Sequence, residues 1–278
     1  MRIVHRLVIS KEWSNDFAKF GINLKEHEDT VTASAGAVVV TLDEAHQKWP
    51  QIQVLLGQTD SLDQIDTKFS PAELSAAPFV CFKSKSFSGF PEPSDDFGYL
   101  AVTYDLKDYC ETCGVGERQN APFRMIREVQ WGRRKTTQMN WLHGEIFVPP
   151  KIWEDVFKPF GIACNPVLNK RGNHELQSVV QVVIDQTSHF EMPKALTTET
   201  CPTCGRLKYN PFNRAFWPLP SATEAKIFRS FEYFGSGGES YRYMFASSDL
   251  YRKMVEHGLN CRFWPCGFPD PALTNTNS

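Results

Sequence analysis

The sequence predicts an α+β fold with mixed or antiparallel sheets, and three observations predict it. Short runs of β-branched and aromatic residues recur along the chain, bounded by Gly, Pro, Ser and Asp clusters, which is the pattern of strands and turns. The last third reads as strand, turn, strand, capped helix, strand. Two C-x-x-C-G motifs stand far apart, Cys110-Glu111-Thr112-Cys113-Gly114 and Cys201-Pro202-Thr203-Cys204-Gly205, with an insert of residues 115–200 between them.

Residues 1–98 read as an α/β region ending in a linker. Ile3 to Ile9 has strand character, and Ala37-Val38-Val39-Val40 is β-branched enough for a buried strand. Thr41-Leu42-Asp43-Glu44 reads as a capping box opening a helix through Ala45 and Trp49, which Pro50 ends or restarts. Ser70-Pro71-Ala72-Glu73 is a second helix start, closed by Pro78. Phe79-Val80-Cys81-Phe82 resumes a strand. Residues 83–98 are rich in Ser, Pro and Gly and predict a long loop or domain linker.

Residues 99–278 read as a second domain built on the two cysteine motifs. Tyr99 to Leu106 alternates toward the first motif. In the insert, Phe123 to Trp131 alternates as a half-buried strand and Ile146 to Val148 is another. Pro149-Pro150 starts a helix over 151–157, stopped near Pro159-Phe160-Gly161, and Ser178 to Ile184 is the strongest strand signal in the chain. After the second motif come a strand from Ile227 to Phe234, a turn at Gly235-Ser236-Gly237-Gly238, and a returning strand at Tyr241 to Phe245. Ser247-Ser248 caps a helix that Gly258 ends, with Arg252 and Glu256 spaced for a pair on its outer face. Asn260 to Trp264 closes this ββαβ unit, and 269–278 reads as a frayed polar end.

The motifs carry the chemistry. Two residues between cysteines let both sulfurs face one point, and the following glycine is free to take positive φ and turn backbone N–H groups toward them. Two such knuckles make a closed Cys₄ site of Cys110, Cys113, Cys201 and Cys204, suited to structural Zn²⁺. The rival reading is a redox pair at Cys201-Pro202-Thr203-Cys204. That pair needs a helix starting at its first cysteine, and Gly205 with Pro211 soon after argues against one. Cys261 and Cys266 form a C-x₄-C pair that reads as core cysteines before it reads as a second metal site. Cys81 and Cys164 read as small core residues.

Composition narrows the function. Hydrophobic residues at 41% and charged residues at 22% are globular, and 21 Phe with 7 Trp suffice for a sizeable core. A net charge of −2 speaks against a dedicated nucleic-acid binder. No signal peptide or membrane span is expected, which suits a reducing cytoplasm for the thiols. The seven histidines, His5, His27, His46, His143, His174, His189 and His257, form no H-x-x-x-H pair and read as structural or surface residues. No G-x-S-x-G or phosphate loop is present. No catalytic constellation emerges, so binding is expected rather than chemistry. A local basic cluster, Arg118, Arg124, Arg127, Arg133, Arg134 and Lys135, suits either nucleic acid or an acidic protein partner.

Two distant CxxCG motifs in a chain of this size resemble the bacterial double-CXXCG motif proteins. The segment from Ile227 through Tyr241-Arg-Tyr-Met-Phe-Ala-Ser-Ser-Asp-Leu to Gly258-Leu-Asn-Cys-Arg-Phe-Trp-Pro265 resembles that family's C-terminal part. It is also similar to the ends of several immunity-protein families of polymorphic toxin systems. The resemblance covers roughly residues 105–268 and implies a cytoplasmic protein that neutralises a cognate toxin, with the four cysteines as zinc ligands. The insert and N-terminal region would then carry toxin specificity. Phe123, Arg127, Trp131, Arg133, Arg134 and Trp141 are the candidate partner anchors. The alternative is a zinc-ribbon nucleic-acid-binding or regulatory protein.

Overall fold

A computed structural model describes residues 1–22, 36–171 and 173–267. His27 and the expected frayed end at 269–278 lie outside these residues. The chain divides into two compact units, Met1–Glu73 with Asn213–Ala215, and Leu74–Phe212 with Phe216–Ser278.

The first unit is a three-stranded antiparallel sheet with Arg2–Ser10 between Ala37–Asp43 and Leu62–Lys68. Leu7, Ile9, Val38, Val40 and Leu42 bury alternate side chains with Trp49 and Ile52 of the helix Trp49–Leu56. The expected capping box at 41–44 is a strand end instead. Thr41 and Leu42 stay paired with Arg6 and His5, and the Asp43 carboxylate accepts from Ala45 N–H in a turn. The helix starts later, with Pro50 in its first turn, where a missing N–H costs nothing. The box at Ser70 does form: Ser70 N–H donates to Glu73 Oε2 at 2.7 Å and Glu73 N–H to Ser70 Oγ at 3.3 Å, opening Pro71–Ala76.

The second unit is organised on a five-stranded sheet, in the order Thr187–Ser188, Ile227–Ser230, Met244–Ser247, Phe79–Ser84, Cys261–Pro265. Both faces of its central strands are covered, so those strands are apolar at consecutive positions. Val80, Phe82, Met244 and Ala246 face a core with Leu250 and Met254 of the helix Ser248–Glu256. Cys81, Phe228 and Phe245 face an aromatic core around Trp217, Phe190 and Phe234. Ser247 caps the helix, and Gly258 at φ 63 ends it. On the helix surface Arg252 pairs with Asp249 and Lys253 with Glu256, one turn each, rather than Arg252 with Glu256.

The two compact units part at Glu73, and residues 83–98 fall in the second. Phe79–Ser84 is the strand between Met244–Ser247 and Cys261–Pro265, which binds the expected linker into the second unit. Tyr99 to Leu106 is half helical, Tyr99–Thr103, before a two-residue strand. The insert adds a four-stranded sheet in the order Arg124–Met125, Cys164–Asn169, Glu175–Val182, Phe147–Val148. Only Arg124–Met125 of the expected strand at 123–131 pairs. Gly161 at φ 73 ends the helical stretch 150–160.

Candidate metal centre

Each cysteine motif is the tip of a small β-hairpin. Tyr104–Asp105 pairs with Arg118–Gln119 around the first motif, and Thr198–Thr200 pairs with Leu207–Tyr209 around the second. The two tips match residue for residue. Cys110 N–H donates to Val115 C=O and Cys201 N–H to Arg206 C=O, both at 2.9 Å. Gly114 and Gly205 N–H close the turns onto Cys110 and Cys201 C=O at 2.7 and 2.9 Å. Both glycines hold left-handed backbone, φ 74 and 73, which a side chain would strain.

The matching tips face each other. The sulfurs of Cys110, Cys113, Cys201 and Cys204 all lie within 4.8 Å of one another. Cys110 and Cys201 sulfurs are 3.8 Å apart, and Cys113 and Cys204 sulfurs 3.6 Å apart. Thr112 and Thr203 hydroxyls meet at 2.9 Å. Cys110, Cys113 and Cys201 are buried, and Cys204 is the exposed corner.

The local field favours thiolates at two corners. Backbone N–H groups of Cys113 and Thr112 aimed at the Cys110 sulfur hold its pKa below the ordinary thiol range, and those of Cys204 and Thr203 do the same for Cys201. Burial pushes the Cys113 thiol up. A bound cation would reverse that, since a coordinating thiol is deprotonated outright. Four soft sulfurs converging on one point form a donor set able to hold a metal ion. Neither motif opens a helix, which removes the feature the redox alternative required.

Two cations sit just behind this cluster, and sequence reasoning missed both. Arg206 donates through Nη1 to Asp108 C=O at 2.7 Å and Val115 C=O at 2.8 Å, bridging the second hairpin to the first. Lys208 is fully buried, and its Nζ donates to the carbonyls of Cys113, Gly237 and Glu239. Alternation along the strand leaving the second motif would turn Leu207 inward and Lys208 outward, and the structure has the reverse, with Leu207 exposed and Lys208 buried. Gly114 packs so closely on the Gly235–Gly238 turn that an added Cβ would lie 2.3 Å from Gly238 O. The glycine-rich turn is thus a wall of the centre as well as a hairpin connection.

The other cysteines stay apart from this centre, and no second metal cluster occurs among the described residues. Cys261 lies buried against Thr136, and Cys266 and Cys81 are buried on the aromatic side of the main sheet. His5 is enclosed by carboxylates, Nδ1 on Asp63 at 2.8 Å and Nε2 on Glu44 at 2.8 Å, with Arg214 on the far side of Glu44.

The candidate partner anchors fare unequally. Phe123 offers no surface: it is fully buried among Tyr104, Phe147 and Val167, because its strand neighbour docks the insert sheet. Trp131 is half-buried and donates its indole N–H to Ser178 C=O at 2.6 Å. Arg134 is tied back to the carbonyls of Gln130 and Trp131. Arg127 and Arg133 are exposed. Trp141, 40% exposed and left-handed at φ 70, stands against Phe90 and Phe97, ring centroids 4.6 and 4.7 Å away. The rest of the basic cluster is engaged within the chain, Arg118 on Asp108, Arg124 on Asn173 and Lys135 on His257 C=O. Comparison with known proteins finds no family model, no curated protein and no solved structure that matches the chain. No helix among the described residues is long and apolar enough to cross a membrane.

Proposed function

We propose that this is a zinc-clamped binding protein that acts by engaging a protein partner, a cognate toxin, in the cytoplasm. The observation that carries the clamp is the convergence of four thiols from two hairpin tips. A tetrahedron of Zn–S bonds about 2.3 Å long places its sulfurs about 3.8 Å apart, close to the observed 3.8 and 3.6 Å. A disulfide would need about 2.05 Å. Zinc on four thiolates carries a net charge of −2, and Arg206 and Lys208 supply nearby positive charge. All four positions of such an ion are filled by protein, so zinc here would supply structure and no open site for substrate.

The partner reading rests on the resemblance of 227–265 to immunity proteins and on an aromatic surface at Trp141, Phe90 and Phe97. Exposed aromatic rings of this size are the common anchors of protein interfaces. Rigid hairpins fixed by metal suit tight inhibition, because loops ordered only on binding lower affinity. The test is co-expression with the product of each adjacent gene, followed by pull-down and growth rescue. A toxic neighbour that is bound and neutralised, with loss in Trp141→Ala, supports the reading. No toxic neighbour, or nucleic-acid binding with a steep salt slope, replaces it with the alternative.

A further inference from the structure

Of the eight cysteines, Cys204 alone is exposed; Cys164 is half-buried and the other six are buried. The metal centre therefore has one thiol within reach of a dissolved oxidant. Pro202 and Thr203 before it, and Glu111 and Thr112 on the facing tip, are exposed as well, so the approach is open. The sulfur beside Cys204 belongs to the other hairpin: Cys113 Sγ lies 3.6 Å away and is buried. An exposed thiol poised next to a second one is the arrangement in which oxidation ends in a disulfide rather than in irreversible acids.

Contacts other than metal bonds hold these two tips together. Thr112 and Thr203 hydroxyls meet at 2.9 Å. Arg206 of the second hairpin donates to Asp108 C=O and Val115 C=O of the first. Lys208, on the same strand as Arg206 leads into, donates to Cys113 C=O at 3.1 Å. These bonds fix the backbone on which Cys113 and Cys204 stand. In a folded chain the thiol held alongside does the resolving, and spacing within a motif does not decide it. Closing 3.6 Å to an S–S bond of about 2.05 Å is a shift of about 1.5 Å, on the scale of side-chain rotation at the two cysteines.

We propose that the centre is an oxidation-gated latch: a hydroperoxide converts Cys113 and Cys204 into a disulfide between the hairpins, which frees the metal and keeps the tips joined. The Cys204 thiolate attacks one peroxide oxygen. An S–O bond forms as the O–O bond breaks, the sulfur is oxidised by two electrons, and the leaving oxygen takes a proton and departs as water or an alcohol. The Cys113 thiolate then attacks the sulfenic sulfur. The S–S bond forms, the S–O bond breaks, and the departing hydroxide takes a proton to become water. A coordinated thiol is already a thiolate, so both nucleophiles are in their reactive form. Cys110 and Cys201 remain a dithiol, half of a closed tetrahedral donor set. An excess of a small thiol reverses the disulfide by two exchange steps and is itself oxidised. The metal release rests on the clamp reading above; the disulfide rests on the sulfur positions alone.

The test treats the purified full-length protein, reduced and metal-loaded, with increasing hydrogen peroxide. Zinc is measured before treatment, its release is followed with a chromogenic chelator, and disulfides are mapped by mass spectrometry after alkylation. The first disulfide should be Cys113–Cys204, with zinc released in step, and both changes should reverse with dithiothreitol and added zinc. Hydrogen exchange in 104–119 and 198–209 should stay near that of the metal-loaded protein, whereas reduced protein stripped by chelator should exchange at least about tenfold faster there. Cys164→Ser should leave this behaviour unchanged, and Cys204→Ser should abolish the disulfide. The map is made on the parent, so the test holds should Cys204→Ser fold poorly. The latch is overturned by a first disulfide within either motif, by first oxidation at another cysteine, by zinc-loaded protein whose thiols stay reduced under peroxide that oxidises free cysteine, or by oxidised hairpins exchanging as fast as the stripped ones. Parent protein free of zinc would sink the clamp reading and with it the metal release, while the disulfide map would still decide the cross-hairpin link.

Discussion

Gly114 and Gly205 occupy equivalent turns with nearly equal φ, yet alanine should cost far more at Gly114. The shared term is left-handed strain, about 1–2 kcal/mol for a residue with a Cβ. At Gly205 nothing lies within 4 Å of the added carbon, so strain is the whole effect. At Gly114 the Cβ would sit 2.3 Å from Gly238 O and 3.3 Å from Ser240 Cβ. The obstacle is backbone, so either the first hairpin or the 235–238 turn has to move. Overpacking of this kind costs about 1–3 kcal/mol more. Lys208 Nζ ties Cys113 C=O to Gly237 C=O across the same contact, so the shift is resisted. At about 2–4 °C per kcal/mol for a unit of this size, Gly114→Ala should melt about 2–12 °C below Gly205→Ala. Differential scanning calorimetry at fixed zinc and reductant reads the gap. Equal melting temperatures, or a lower one for Gly205→Ala, would refute the packing of the first hairpin tip on the glycine turn.

Further outcomes follow from the same geometry. Lys208→Met should lower stability by about 1–3 kcal/mol for each carbonyl left without its donor, measured by urea unfolding; a neutral result would mean Lys208 is not the cross-link described. Glu117 is pushed up to about 7 by burial, against the opposing field of Arg242 and Arg229. A carboxyl with a raised folded-state pKa is favoured protonated, so its contribution falls as pH rises from about 4.5 to 7 and stays lost above, by about 3 kcal/mol. Glu117→Gln should flatten that slope and raise the melting temperature at pH 8; an unchanged pH profile would count against it. Glu92 behaves in the opposite sense. Burial works to raise its carboxyl, but Lys170 at 2.7 Å and the Ser94 N–H outweigh it and hold the pKa low. Its stabilisation is present above the usual carboxylate range and lost as pH falls through the folded value, so Lys170→Met should erase part of the acid-side loss. Chelation should speed hydrogen exchange in 104–119 and 198–209 while sparing 2–10, as read by mass spectrometry; uniform change across the chain would argue against a local clamp.

Local signals made much of this fold legible. Runs such as Ile3 to Ile9 and Phe79 to Phe82 announce strands by composition, and Ser70 and Ser247 announce helices by caps that form as expected. The four cysteines were legible because two residues of spacing and a following glycine define a turn with little help from the rest of the chain. What sequence concealed is long-range. Phe79–Ser84 completes a sheet whose neighbours lie some 160 to 180 residues later, and nothing in its own pattern names Met244 or Cys261 as partners. The alternation at 123–131 marks burial of Phe123 and Met125, which irregular chain supplies as well as a strand does. Thr41 to Glu44 shows the converse, where pairing with Arg2–Ser10 overrides a good capping sequence.

The central claim is that the two hairpin tips are joined by zinc. Elemental analysis of protein purified under reducing conditions, without added metal, tests it most directly when run beside Cys204→Ser and Cys81→Ser. The account predicts one zinc per chain in the parent and in Cys81→Ser, and a marked loss of zinc with a lower melting temperature in Cys204→Ser. Metal-free parent protein, or equal zinc and equal melting in both variants, would contradict it.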